Sequence, residues 1–320
     1  MTAIVLALLA SLGWGLSDFV GGVSSRRLPL RAVVSCMIAG GLLTAAVAAA
    51  ITGSSYPGSI ILIPGAIAGL ASVTAIASLY KGLAIGSMSV VAPISAAYPV
   101  VPVAWGLAQG ERPTTVQFAG MALVVIGVML ASYVRERDRA EHGSPAAAQG
   151  GDMEQGRVAV IPLPDLGEGL VDRVRRDAAA HRPRTLASVG LGIVAALASG
   201  TVLTAISSAS ETDPFWGLII TRGVGLAVML AVVAMGRSGF GVRPRQTPIL
   251  FAVGVLDTVA TGLFAIATTY GYLSVVSVIA ALFPLGTIAL ARLALGERIQ
   301  PQQSVGVTAA LGGVALVALG

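Results

Sequence analysis

Long apolar stretches alternate with short polar ones over most of the chain. An α-helix needs about 20 predominantly apolar residues to cross a lipid bilayer. Ten stretches approach or reach that length, and they cover residues 3–23, 30–51, 60–80, 86–107, 114–133, 186–207, 215–235, 248–270, 273–292 and 303–319. The first stretch is interpreted as a span rather than a signal peptide, because it has neither a basic region before it nor a clear cleavage site after it. The pattern therefore predicts ten membrane-spanning helices.

The composition leads to the same conclusion. Only 11% of the 320 residues are charged and the mean hydropathy is +0.87, whereas a soluble globular protein carries about 25% charged residues. Of the 35 charged side chains, 18 lie within residues 134–185. The rest are too few to solvate a folded surface, which excludes a soluble enzyme, a nucleic-acid-binding module and a disordered protein.

The charged segment 134–185 separates the first five apolar stretches from the last five. It holds nine arginines and nine acidic residues among Gly, Pro and Ala, a composition typical of a solvated linker. We therefore divide the chain into residues 1–133, a linker over 134–185, and residues 186–320. Cys36 is the only cysteine, and His142 and His181 lack the spacing of metal ligands, so neither a metal site nor a cofactor is predicted.

The two halves align on one another at an offset of 185 residues. Six of the twelve positions in 88–99 are identical in 273–284, including Pro99 and Pro284, and a Gly-Glu-Arg at 110–112 recurs at 296–298. Each half contains five predicted helices, an odd number, so the second half must enter the membrane in the opposite direction to the first. Inverted repeats of this kind are typical of secondary transporters, which bind substrate near the bilayer midplane.

The chain resembles the EamA-type members of the drug/metabolite transporter superfamily. The resemblance is carried by the ten spans, by Trp14-Gly15 in the first span, by Pro99 and Pro284, and by the Gly-Glu-Arg that follows each of these prolines. It implies an all-α integral membrane protein with ten transmembrane helices in two inverted five-helix repeats. It also implies transport of small metabolites or drugs without ATP. The sixth span departs from the pattern with Ser199-Gly200 in place of Trp-Gly, and the long linker is unusual for the family.

A nucleotide-driven pump would need a phosphate-binding Gly-x-x-x-x-Gly-Lys-Ser/Thr motif. The only lysine, Lys81, is followed by Gly82, so we expect gradient-driven transport, either export or proton-coupled exchange. A passive channel or facilitator and a membrane-embedded enzyme remain as alternatives, and saturable flux into liposomes would distinguish them. The predicted partners are a small-molecule solute and the lipid bilayer of the plasma membrane, without nucleic acid. Both a monomer and a homo-oligomer fit the sequence.

Basic residues indicate the membrane orientation. Loops after odd-numbered spans hold nearly all loop Lys and Arg, and Arg112 is the only one on the opposite face. The positive-inside rule then places the linker in the cytoplasm and both termini outside. The family resemblance implies the reverse orientation, with the termini inside, so the sequence supports two orientations.

Eight residues are candidates for the transport pathway. Tyr98-Pro99 and Phe283-Pro284 occupy equivalent places in the fourth and ninth spans, where a proline is expected to kink the helix and free a carbonyl. The resemblance implies that Trp14 lies near the central cavity, although core packing is an alternative for it and for the prolines. The set is Trp14, Asp18, Tyr98, Pro99, Arg222, Asp257, Phe283 and Pro284.

The charged candidates lie inside predicted spans. Arg222 lies about 10 Å and Asp257 about 20 Å from the face that carries the termini, so we expect either an ion pair or an Arg222 that extends to the membrane surface. Asp18 lies at nearly the same depth as Asp257 and one helical turn from Trp14. These two acids are predicted to bind a cationic group or to exchange protons. In the alternative, Asp18 pairs with Arg26 or Arg27 and Asp257 only neutralises Arg222.

Overall fold

The described elements of the structure are all helices. A computed structural model describes residues 1–25, 30–85, 88–132, 169–235, 247–295 and 301–320. The helices are α1 (Thr2–Ser25), α2 (Leu30–Thr52), α3 (Leu62–Ile85, after a 3₁₀ turn at Ser59–Ile61), α4 (Met88–Ser95), α5 (Val100–Ala108), α6 (Thr115–Ser132), α7 (Gly169–Ser210), α8 (Pro214–Met235), α9 (Thr247–Tyr270), α10 (Leu273–Ala280), α11 (Phe283–Leu295) and α12 (Pro301–Leu319).

The ten predicted spans are confirmed. In the described part of the chain, ten segments are long and apolar enough to cross a membrane: Thr2–Gly21, Val33–Thr52, Ser59–Leu79, Val91–Ala108, Thr115–Ser132, Leu186–Ser210, Pro214–Met235, Thr247–Tyr270, Leu273–Leu290 and Pro301–Leu319. Residues 169–185 of the predicted linker are helical, since α7 begins at Gly169 and continues without interruption into the sixth span. Residues 134–168 of the linker lie outside the described residues.

Glycines show that the repeats are inverted. Helices α6 and α12 are equivalent in the two halves and pack against each other. A methyl group on Gly120 would lie 2.7 Å from the Gly313 carbonyl oxygen, and one on Gly127 would lie 2.7 Å from that of Gly306. Because the contact position on α12 moves backward as that on α6 moves forward, the two helices are antiparallel. Equivalent helices that run in opposite directions define an inverted repeat.

The two halves also exchange contacts near the centre of the bundle. Gly15 of α1 packs against the carbonyl of Phe283 in the second half, and Gly200 of α7 packs against the carbonyl of Tyr98 in the first. Gly15 and Gly200 are 185 residues apart, and so are Tyr98 and Phe283. The second contact is therefore the repeat-related copy of the first. Close backbone approach between small residues is the usual basis of helix association in lipid. Each half therefore completes the packing of the other.

The fourth and ninth spans are interrupted rather than kinked. The sequence predicted a proline kink in each, but residues 96–99 and 281–282 form turns that separate α4 from α5 and α10 from α11. At both breaks the hydrogen bonds tighten to the i→i+3 type: the Ala97 amide donates to the Ile94 carbonyl, and the Leu282 amide donates to the Ile279 carbonyl. Helices broken halfway across the membrane are typical of transporter binding sites.

Candidate functional site

Asp18 is an exposed carboxylate on the side of α1 that faces the bundle. The lipid-facing side of α1 is defined by the exposed side chains of Leu9, Leu12 and Leu16. Asp18 lies on the opposite side of the helix, among buried positions, and is nevertheless exposed. We infer that a side chain which points into a helix bundle and remains accessible borders a space between the helices, and we call this space the cavity. The cavity lies between the repeats, because this face of α1 packs against helices of the second half.

Four aromatic side chains form a continuous row beside this cavity. The Trp14 ring lies 5.7 Å from that of Phe264 and 6.4 Å from that of Phe283, measured between centroids, and the Phe283 ring lies 6.1 Å from that of Tyr98. Phe264 and Tyr98 are buried, whereas Trp14 and Phe283 are partly exposed. At 1.5 Å per residue, Trp14, Tyr98 and Phe283 all lie about 15 to 18 Å from the face that carries the termini. The row is therefore near the midplane.

Two further candidate residues, Arg222 and Asp257, form an ion pair next to this row. The guanidinium Nη2 lies 2.5 Å from Asp257 Oδ2 and also donates to Thr261 Oγ1 at 3.1 Å. The indole Nε1 of Trp14 donates to the same hydroxyl at 3.2 Å, and the hydroxyl donates to the Asp257 carbonyl at 2.7 Å. The predicted ion pair is thus present, and Thr261 links it to the aromatic row.

Asp18 is separate from that ion pair. Among the described residues, Arg222 forms its salt bridge with Asp257 rather than with Asp18. Arg26 and Arg27, the alternative partners predicted for Asp18, lie outside the described residues. The described part of the site therefore carries two acids and one arginine.

Several buried polar atoms around the cavity lack a hydrogen-bond partner. They include the Tyr98 hydroxyl, Arg222 Nε and the Thr258 hydroxyl. Gly41 of α2 lies against Arg222 Nε and the Thr258 hydroxyl. A methyl group at position 41 would lie 3.3 Å from Arg222 Nε and would collide with the Thr258 hydroxyl. A buried polar group without a partner costs free energy. Each of these atoms would gain a hydrogen bond if water or a solute reached it.

The two prolines shape the broken helices. Pro99 is fully buried and immediately precedes α5, and Pro284 is half-buried in the first turn of α11. Proline is favoured at the start of a helix because it lacks the amide hydrogen that would be unpaired there. Both prolines therefore stabilise the helix starts that follow the breaks, and they place Tyr98 and Phe283 beside the cavity.

Sequence reasoning did not identify Thr261, Phe264 or Glu111. Thr261 lies one helical turn after Asp257 and Phe264 one turn later, so the spacing along α9 was the available signal. Glu111 belongs to the Gly-Glu-Arg at 110–112, which served only to align the repeats and to support the family resemblance, and its contact is to a helix 162 residues away. Its counterpart Glu297 lies outside the described residues. Over the described ranges, no three His, Cys, Asp or Glu side chains are grouped so as to hold a metal ion.

Comparisons with known proteins agree with this architecture. The model of a family described as the EamA-like transporter family matches residues 1–133 and 186–319. A crystal structure of another protein superimposes with a TM-score of 0.72 at 14% sequence identity, over 99% of this chain and 96% of that one. At this identity the similarity concerns the fold alone. A search among curated proteins finds no match.

Proposed function

The chain belongs to the EamA-like transporter family, and from this premise we propose that it is a secondary transporter which moves a small metabolite or drug across the plasma membrane by alternating access. The observation that carries the proposal is the accessible carboxylate of Asp18 on the inward face of α1. It lies at the interface of two inverted repeats, where rocking of one repeat against the other exposes a central site to each face in turn.

The lining of the cavity favours a solute with a cationic group. Arg222 neutralises Asp257, which leaves the charge of Asp18 to be compensated by the solute or by a proton. The faces of Trp14 and Phe283 are partly exposed beside it, and aromatic faces attract cations by about 0.5 to 2 kcal/mol. A proton and a cationic solute that compete for the same carboxylate would couple transport to the proton gradient, with export of the solute against entry of protons.

The alternatives are disfavoured by the same features. A membrane-embedded enzyme would place a nucleophile and a base, or a metal, at the site, whereas the cavity is lined by aromatic rings and by carboxylates. A passive channel would need a polar lining along its whole length, and the described cavity is bordered by the packed aromatic row. The orientation with the linker in the cytoplasm is favoured by the distribution of arginines.

The experiment that tests the proposal is solute flux by the purified protein in liposomes over a series of pH values. We expect saturable uptake of an organic cation that declines as the pH falls, because protons compete for Asp18. In Asp18→Asn the affinity should fall by about 10- to 100-fold, as expected when a charge-assisted contact is lost, and the pH dependence should disappear. Glu211→Gln is the matched control, since Glu211 is an exposed carboxylate outside the cavity.

Two results would contradict this assignment. Flux that increases linearly with solute concentration would indicate a channel. A pH dependence that persists unchanged in Asp18→Asn would remove Asp18 as the site where protons and solute compete, and it would leave the aromatic row to be tested by itself.

Alanine substitution tests the aromatic row. Trp14→Ala and Phe283→Ala remove partly exposed rings and are expected to raise the half-saturation concentration about tenfold, by loss of cation–π and stacking contacts. Tyr98→Ala should have a comparable effect through loss of the hydroxyl that lacks a partner. The level of protein in the membrane is measured in parallel. Equal losses of protein in all three variants, with unchanged affinity in the remainder, would show that the rings only pack the core.

A further inference from the structure

Glu111 connects the two repeats at the face of the membrane that carries the termini. It lies in the turn between α5 and α6 of the first repeat. Its carboxylate accepts hydrogen bonds from the amides of Leu273, at 2.6 Å, and Ser274, at 3.1 Å. These are the first two residues of α10 in the second repeat.

The start of α10 has no cap from its own chain segment. The residue before the helix is Tyr272, which makes no side-chain capping hydrogen bond. The first amides of a helix lack partners within the helix, and its dipole attracts negative charge to that end. The Glu111 carboxylate satisfies both requirements from the other repeat.

The surroundings of Glu111 are shaped to hold its side chain. Gly106 is buried in the last turn of α5, and a methyl group there would collide with the Glu111 carboxylate. The Glu111 amide donates to the Gly106 carbonyl at 3.0 Å. Gly110 has a φ of +92°, a conformation that other residues rarely adopt. The turn therefore directs Glu111 back across the end of α5 and onto α10.

The helix that Glu111 holds leads directly to the candidate site. Every residue of α10 is buried, and the break that follows it presents Phe283 to the cavity. Just before α10, Gly271 packs so closely on Ala3 of α1 that a methyl group on Gly271 would lie only 2.8 Å from the Ala3 Cβ. Movement of α10 away from Glu111 would therefore separate α10 from α1 and open a path between them.

We propose that Glu111 is a latch that keeps the cavity closed at the face of the termini, and that it releases α10 whenever the cavity opens to that face. The proposal rests on the alternating-access function proposed above. A second connection lies at the same face, where Ser54 donates to Asp213 Oδ2 at 2.5 Å and the Trp216 indole donates to the Ser54 carbonyl at 3.3 Å. Glu111 differs from this connection in holding the broken ninth span.

Cysteine labelling tests the latch without a transported solute. In a Cys36→Ser background, Ala7→Cys places a reporter on the inward face of α1, where the side chain is completely buried in the cluster that includes α10. Ala68→Cys, equally buried in α3, reports general loosening. The protein is reconstituted in lipid nanodiscs and treated with a membrane-impermeant maleimide.

We expect Glu111→Gln to accelerate labelling at position 7 about tenfold, the effect of losing a charge-assisted hydrogen bond, and to leave labelling at position 68 unchanged. Gly106→Ala should reproduce this result by displacing the carboxylate, which also covers the case in which Glu111→Gln does not reach the membrane. Glu211→Gln should change neither rate. Unchanged labelling at position 7, or an equal increase at positions 7 and 68, would overturn the latch. The labelling experiment uses no solute. A failure to detect transport would therefore refute the proposed function without changing the labelling result.

Discussion

Replacing either Arg222 or Asp257 alone is expected to remove most of the folded protein from the membrane, whereas replacing both should restore it. The side chains of this ion pair are 13% and 24% exposed, so either one left alone would be a largely buried, unpaired charge. Breaking a buried pair costs about 3 to 5 kcal/mol, whereas replacing both partners by packed neutral side chains is often harmless. Arg222→Met and Asp257→Asn are the informative single variants.

The internal repeat supplies a design for the double variant. At the repeat offset of 185 residues, Arg222 corresponds to Met37 and Asp257 to Ser72, so the first repeat holds a neutral pair at the equivalent place. We therefore expect the Arg222→Met/Asp257→Ser protein to recover membrane abundance and melting temperature. The charge swap Arg222→Asp/Asp257→Arg should recover part of both, because Arg222 also contacts Thr261.

The measurements are membrane abundance and the melting temperature of the detergent-solubilised protein. If Asp257→Asn kept the wild-type abundance and melting temperature, Arg222 would have to reach the membrane surface when its partner is lost. That result would contradict the prediction. Losses that simply add in the double variant would show that the two side chains contribute independently rather than as a pair.

Gly313→Ala is expected to prevent stable folding, whereas Gly312→Ala should have little effect. A methyl group at 313 would lie 2.6 Å from the Gly120 carbonyl oxygen and 2.7 Å from the Val124 amide, both of which belong to the backbone of α6. At 312 the nearest atom is the Leu123 Cδ2, at 3.9 Å, an ordinary contact distance. The two variants are one residue apart in α12 and differ only in which side of the helix they change.

The reason for a large effect is that backbone atoms cannot turn away as side chains do. To accept the methyl group, α6 and α12 must separate along their whole interface, which forfeits close packing and costs about 1 to 3 kcal/mol or more. Gly127→Ala should behave like Gly313→Ala, because the inverted repeat makes these positions equivalent. Thermal unfolding in detergent measures the difference. Similar melting temperatures for the Gly312→Ala and Gly313→Ala variants would contradict the close packing of α6 against α12.

The sequence determined the membrane-spanning architecture because a bilayer imposes a simple requirement on every span. About 20 apolar residues are needed per helix, and this length is visible without any tertiary information, so the span boundaries were predicted to within a few residues. The inverted repeat followed from an odd number of spans in each of two similar halves. The Arg222–Asp257 pair could be predicted because few charges lie in the spans and each needs a partner.

Contacts between distant segments were decided only by the tertiary structure. Small residues are frequent in every span, so their spacing did not reveal that Gly120 meets Gly313 or that Gly15 meets the carbonyl of Phe283. Thr261 and Glu111 are ordinary residues in the sequence, and each gains its role from a partner on another helix. A proline likewise predicts a disturbed helix but not whether it bends or breaks, since that depends on the neighbouring helices that replace the lost hydrogen bonds. Lipid specifies how long each helix is and that its charges be paired, whereas packing between helices determines which residues meet.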